Sequence, residues 1–307
     1  MKIGGAESAG TCLIAGCGYA GGRLARRMAA RGPVLALARS SGTASALAAS
    51  GLPVRAVDLD GPLTLEVPDL ESIVYLVPPA RQGTGDPRLR RFLEGLGGSR
   101  PTVLVYLSST GVYGDAGGLP VDEDTLTAPA DDASRRRLAA ETTAFAWCEA
   151  SGVRCVMLRV SGIYGPHRLP LDRLRGGEPV LRPEESGPGN RIHVDDLVEA
   201  CVAAIDGPGS GRAVSGLINV ADGDPRSIGA FLELVARLAG LPPPRRVTMA
   251  EARRELSPGM LAFLQASRTV LNRRMTEELG VRLRYADPEA GVRASLREMG
   301  LVSSAAR

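Results

Sequence analysis

A chain of 307 residues, 44% of them hydrophobic, holds enough apolar material for one large core or for a core with a smaller subdomain attached. Its formal charge of +3 is modest, and no aromatic platform accompanies the clusters Arg135-Arg136-Arg137 and Arg245-Arg246, which argues against nucleic-acid binding. The five cysteines lack metal-ligand spacing, no apolar run is long enough to span a bilayer and no signal-peptide pattern is present, so the expectation is a cytoplasmic protein with reduced thiols, no metal and no membrane partner.

The 38 glycines and 22 prolines punctuate apolar runs, as turn residues do. Thr11-Cys12-Leu13-Ile14-Ala15 reads as a short buried strand running into Gly16-Cys17-Gly18-Tyr19-Ala20-Gly21 and then a helix that stops near Gly32. A GxGxxG string alone is weak, but between a strand and a helix it reads as a dinucleotide-binding turn. Gly16 allows the tight turn, Gly18 the approach of a diphosphate and Gly21 close helix packing. The amides opening the helix then face the negative phosphates.

Val34–Ala38 predicts the next strand, ending at Arg39-Ser40-Ser41. A carboxylate at that point accepts from the ribose hydroxyls of NAD, whereas an arginine pairs with the extra phosphate of NADP. Arg39, with Ser40 or Ser41 as hydroxyl donor, therefore predicts NADP(H) in preference to NAD(H). Residues 42–51 fit a short helix and 54–59 a third strand, with Asp58 able either to accept from the adenine amino group or to cap a turn. Residues 73–77 form a clear buried strand stopped by Pro78-Pro79, which places Val77 on the ligand side of a doubly wound sheet. After a helix over 88–96, the strand 102–107 opens into Ser108-Ser109-Thr110-Gly111-Val112-Tyr113-Gly114, where hydroxyls are candidates for binding a carbonyl or hydroxyl group.

These pieces resemble an atypical extended short-chain dehydrogenase/reductase of the NAD(P)-dependent epimerase/dehydratase-like family. The resemblance covers roughly residues 11 to 300 and includes Arg159-Val160-Ser161-Gly162-Ile163-Tyr164-Gly165-Pro166, Arg191-Ile192-His193-Val194-Asp195-Asp196 and Asn219-Val220-Ala221-Asp222. It implies that Ser109 polarises a substrate oxygen. It also implies a tyrosine four residues before a lysine. Taking Glu141 as the glutamate that follows the lysine puts Ala133 at the tyrosine position and Arg137 at the lysine position. No register restores the pair, because residues 125–144 contain no tyrosine. Arg137 keeps a positive charge for the nicotinamide ribose, although its planar fork differs from an ammonium. Tyr164, Tyr113 and His167 are the remaining candidates for proton transfer, with packing beneath the site as the alternative role of either tyrosine. A helix over 136–149 bears Phe145 and Trp147, and the resemblance implies a homodimer through such a face.

The stretch 162–190, rich in Gly, Pro and Arg, predicts an irregular loop over a pocket, in which Arg168, Arg173 and Arg182 are candidates for holding an anionic substrate. His193 reads as structural, and one of Asp195 and Asp196 as a helix N-cap. Ser227 caps a helix over 228–238, and Pro288 opens a final one.

The expected fold is α/β, a Rossmann-like parallel sheet flanked by helices with a smaller, mostly helical C-terminal substrate subdomain. Its expected parts are a nucleotide-binding domain over 11–165, a covering loop over 166–190, segments returning to the first domain over 191–225, and a substrate subdomain over 226–307. Two functions stay open. One is an NADP-dependent oxidoreductase or epimerase-like enzyme acting on a small carbonyl or polyhydroxylated compound. The other is an inactive NADP(H)-binding sensor or scaffold.

Overall fold

The computed structural model describes residues 10–207, 214–265 and 267–302. In chain order the elements begin with β1 (Thr11–Ala15), α1 (Tyr19–Ala29), β2 (Val34–Ala38), α2 (Ser41–Ala48) and β3 (Val54–Ala56). There follow β4 (Leu70–Tyr75), α3 (Pro87–Gly95), β5 (Val103–Ser109), β6 (Pro120–Val121), α4 (Asp132–Ser151) and β7 (Arg154–Val160). Next come β8 (Gly162–Tyr164), α5 (Leu171–Arg175), β9 (Val180–Leu181), β10 (Arg191–His193), α6 (Val194–Asp206) and β11 (Gly216–Val220). The chain ends with α7 (Ile228–Leu238), β12 (Arg246–Val247), α8 (Met249–Glu255), α9 (Pro258–Gln265), β13 (Thr269–Val270) and α10 (Pro288–Glu298).

Seven strands form one sheet in the order β11-β7-β5-β4-β1-β2-β3. The pairs β1–β2, β1–β4, β2–β3 and β4–β5 are parallel. Winding reverses at β1, whose neighbours are β2 on one side and β4 on the other, and doubly wound sheets bind their ligands beyond the carboxyl ends of the strands at such a point. This is the expected Rossmann-like sheet.

The residues fall into two compact units. The first comprises the chain up to Ser108, Asp131–Leu158 and Val198–Leu217. Its strands are near-continuous apolar runs because helices cover both faces of a parallel sheet. Leu13, Ile73, Leu104 and Phe92 are fully buried, each such side chain contributing about 1.5–3 kcal/mol. Tyr75 and Tyr106, register partners in β4 and β5, stack with centroids 5.8 Å apart. Local signals set the helix ends. The Asp86 carboxylate accepts from the Arg88 and Leu89 amides, with Pro87 at the first position of α3. Asp131 caps α4, and Gly152 ends it in the left-handed conformation at φ 65°. Arg154 donates to the carbonyls of Ala204 and Ile205, satisfying acceptors at the end of α6, and to the Val214 carbonyl ahead of β11.

The second unit, Ser109–Ala130, Arg159–Leu197 and Ile218–Arg307, contains the two-stranded parallel pairs β8–β10, β9–β12 and β6–β13. Its core gathers Tyr164, Leu171, Leu174 and Val180 with Phe231 and Val235 of α7 and Val292 and Leu296 of α10. Ser227 caps α7, and Asp287 with Pro288 opens α10.

Three expectations need correction. The third strand stops at Ala56, because Asp58 and Asp60 close a turn instead of extending the ladder. The stretch 162–190 is not one irregular loop, since β8 and β9 each find a parallel partner far along the chain and α5 lies between them. Neither Asp195 nor Asp196 is an N-cap, because α6 begins one residue earlier. Asp196 instead accepts from the amides of Arg284 and Tyr285 at 2.8 and 2.9 Å, tying the C-terminal tail to α6. Among the described residues, no helix is long and apolar enough to cross a membrane.

Candidate functional site

The first unit contains a built turn at the end of β1. Gly16 lies at φ +98°, in the left-handed region, and a Cβ there would stand 3.0 Å from the Val77 amide nitrogen and its Cγ2. Val77 thus forms the floor of the turn. A Cβ on Gly21 would collide with the Gly16 carbonyl oxygen, so α1 packs this closely only without a side chain there. Gly18 differs, for a Cβ on it would meet nothing within 4 Å. It is the N-cap of α1 and supplies no side-chain capping bond. The first bond of the helix runs from the Gly22 amide to the Gly18 carbonyl, so the amides of Ala20 and Gly21 open the helix ahead of it. Tyr19 begins α1, with the Arg23 guanidinium 5.7 Å from its ring centroid. These features fit a diphosphate: open space, helix-terminal donors and a positive dipole end. Cys17, whose thiol burial pushes up to about 12, donates to the Ile14 carbonyl and is a structural residue.

At the end of β2, Arg39 is exposed and its Nη2 lies 3.3 Å from a carboxylate oxygen of Asp60. Asp60 is in turn gripped by Arg88 through two charge-assisted hydrogen bonds of 2.7 and 2.6 Å. These bonds hold its carboxyl below the usual range. Ser40 is occupied as the N-cap of α2, accepting from the Thr43 amide. Asp58 takes the turn role, accepting from the Asp60 amide at 3.1 Å. Arg91 donates to the Leu59 carbonyl at 2.6 Å, so α3 fastens the 58–60 turn at two points one helical turn apart.

Beside β5, Arg137 of α4 donates through Nη1 to the Leu107 carbonyl at 2.8 Å and to the Tyr106 hydroxyl at 3.2 Å. One turn further along α4, the buried Glu141 accepts from Ser108. Alternation along β5 puts Tyr106 and Ser108 on one face, both toward α4. Ala133 is exposed in the first turn of α4.

In the second unit, Ser109 caps a short 3₁₀ turn, its hydroxyl accepting from the Gly111 amide at 3.1 Å. Tyr113 is buried, donates to Asn219 Oδ1 at 2.7 Å and lies under the Arg159 guanidinium, 4.8 Å from its centroid. Burial pushes its phenol up, opposed by Arg159. The neighbouring Asn219 amide donates to the buried Glu123 at 2.6 Å. Tyr164 sits in the core of this unit, edge-on to His193 and Phe231, its hydroxyl buried without a hydrogen-bond partner and its phenol pushed up by burial. His193 is buried too. Its Nδ1 accepts from the Asp195 amide, which leaves Nε2 to carry the proton toward Ser295 Oγ at 3.2 Å. His167 is exposed at φ +62°. Arg173, a candidate anion clamp, is engaged bidentately by Glu178.

Sequence reasoning missed the Asp60–Arg88 pair and the Glu123–Asn219 contact. It named Asp222 only as part of a motif. Asp222 is buried, one oxygen accepting from the Asp224 amide and the other unpartnered. Burial pushes its carboxyl up to about 7 against the pull of Arg191.

Comparison with known proteins agrees with this geometry. Residues 89–221 match the model of the NAD dependent epimerase/dehydratase family. Protein YeeZ of Escherichia coli K12 is 27% identical over 287 residues, covering 90% of this chain and 96% of that protein. A functionally unknown conserved protein from Silicibacter pomeroyi is 30% identical, with a TM-score of 0.81 over 94% of this chain and 99% of its own. UDP-glucuronic acid 4-epimerase from Bacillus cereus, solved in complex with NAD, has a TM-score of 0.75 at 15% identity, over 95% of this chain and 100% of its own. The chain belongs to the NAD dependent epimerase/dehydratase family, whose members are nicotinamide-dependent enzymes.

The expected preference for NADP(H) is corrected. The structurally similar epimerase holds NAD. The physical reason lies at Arg39, which is not a lone cation, because Asp60 places a carboxylate against it.

Gly18→Ala and Gly21→Ala should separate the two roles of the turn. Calorimetric titration with NAD+ is expected to lose binding for both variants, while thermal melting shows a larger stability loss for Gly21→Ala, whose Cβ collides with backbone. For Asp222, a folded-state value above the unfolded one means that the folded protein holds more protons between about pH 4 and 7, so stability falls as pH rises through that window. Asp222→Asn should flatten that fall in urea unfolding at pH 5 and pH 8. An unchanged slope would contradict the assignment.

Proposed function

We propose that the protein is an NAD(H)-dependent oxidoreductase or epimerase-like enzyme acting on a small carbonyl or polyhydroxylated substrate. The observation that carries this reading is the open space over Gly18, at the head of an α1 that has no side-chain cap. Gly16, Gly18, Tyr19, Ala20 and Gly21 would hold the diphosphate, with Val77 beneath, and Arg39, Ser40 and Asp58 would border the adenosine. When bound, the nicotinamide supplies a hydride acceptor or donor.

The protein's own side chains then have distinct tasks. Arg137 keeps one nitrogen on the Leu107 carbonyl and Tyr106 and turns its other N–H groups toward the nicotinamide ribose. Ser109 polarises the substrate oxygen with its hydroxyl proton, its lone pair being fixed by the Gly111 amide. Tyr113 and Tyr164 serve as buried supports of the second unit and not as proton donors. Each is 3% exposed, and burial makes each phenol a harder group to ionise. General acid help at the Ala133 position is therefore missing, which is worth about 10²–10⁴-fold in rate.

That deficit also favours the second reading, a binder of NAD(H) that turns over slowly or not at all. Two measurements separate the two: NADH oxidation, followed by absorbance across a panel of aldehydes and ketones, and chromatography of nucleotide sugars incubated with the protein and NAD+, since an epimerisation leaves no net change in NADH. The enzyme reading expects turnover that falls about 100-fold in Ser109→Ala at unchanged NADH affinity. Flat progress curves and unaltered sugars with tight NADH binding would leave the binder.

A further inference from the structure

The carboxylate that recognises an adenosine ribose ordinarily stands at the end of the second strand, about 20 residues after the glycine turn. In this chain that position is Arg39, a cation. A cation there would by itself attract a 2′-phosphate, yet a carboxylate reaches the same place from elsewhere. Asp60 lies beyond β3, across a ladder in which Ala38 is the partner of Ala56, and its oxygen is 3.3 Å from Arg39 Nη2.

This carboxylate is not a drifting surface group. Arg88, only 16% exposed, holds both of its oxygens at 2.7 and 2.6 Å in a fork-to-fork arrangement. The Asp60 amide is fixed by Asp58, and the Leu59 carbonyl by Arg91. Three side chains, Arg88 and Arg91 of α3 and Asp58 of the turn itself, therefore aim one carboxylate at the end of β2. The Asp60 side chain itself remains 37% exposed and so is open to a ligand.

We propose that Asp60, positioned by Arg88, is the residue that makes the site select NAD(H) over its 2′-phosphorylated form. Asp60 supplies the ribose carboxylate that the end of β2 lacks. It accepts from the 2′-hydroxyl of the adenosine ribose and engages one N–H of Arg39. A 2′-phosphate meets that carboxylate as a like charge, and Arg39 is engaged before the phosphate can pair with it. The inference rests on the reading of the glycine turn as a dinucleotide site.

The test is calorimetric titration of the wild-type protein, Asp60→Asn, Arg88→Met and Asp60→Asn/Arg39→Ser with NAD+ and with NADP+. The wild type is expected to bind NAD+ more tightly. Asp60→Asn should shift the ratio of dissociation constants toward NADP+ by about tenfold or more, since a charge-assisted hydrogen bond is lost and a like-charge contact removed. Arg88→Met should move the ratio in the same direction by a smaller factor, an effect that a merely structural role would not produce. Adding Arg39→Ser should erase the gain in NADP+ affinity. Thermal melts of the isosteric Asp60→Asn verify folding, and Arg88→Met carries the test if that variant does not fold. A ratio that stays within about twofold of wild type in folded Asp60→Asn, with NAD+ still bound, overturns the role of Asp60 alone. A wild type that binds neither nucleotide overturns the dinucleotide reading and this inference with it.

Discussion

The arrangement depends on one close approach, the start of α1 against the Gly16 carbonyl. Gly21 has no Cβ to keep the helix away, and Gly16 takes a positive φ that turns the chain sharply out of β1. Together they set the first helix end at the point where the sheet reverses its winding. The space over Gly18 is a consequence of that approach. Helix-terminal amides and a positive dipole end point into it, and an anion of diphosphate size is the chemistry they suit.

Around this turn the polar groups are held with little slack. Arg137 reads a backbone carbonyl at the end of β5, and Ser108 is locked to Glu141 from the same helix. The 58–60 turn is fastened by α3, so the end of β2 is bordered by a network of charges and not by a single arginine. Charge placement there depends on pairs, and the sign of a lone residue is a poor guide to what it attracts. In the second unit the polar core is equally engaged, Tyr113 donating to Asn219 and the Asn219 amide to Glu123.

Much of this was legible in the chain. Apolar runs bounded by glycine and proline marked β1, β2, β4 and β5, because strands covered on both faces need uninterrupted hydrophobic stretches. The glycine turn was legible because each glycine has its own steric duty. The Ser227 cap and Pro288 at the start of α10 followed from local chemistry. What escaped was set by distant partners. Arg88 lies 28 residues from Asp60, and Glu123 lies 96 from Asn219, so no local window joins them. The pairings of β8 with β10 and β9 with β12 are hidden likewise, since two- and three-residue strands carry too little pattern. Reading Arg39 without Asp60 produced the wrong cofactor preference for the same reason.

The most direct measurement is a crystal structure of the protein grown with NAD+. The account predicts diphosphate oxygens within hydrogen-bond distance, about 2.7–3.2 Å, of the amides that open α1, seated over Gly18. A dinucleotide bound with its phosphates away from that turn would contradict it.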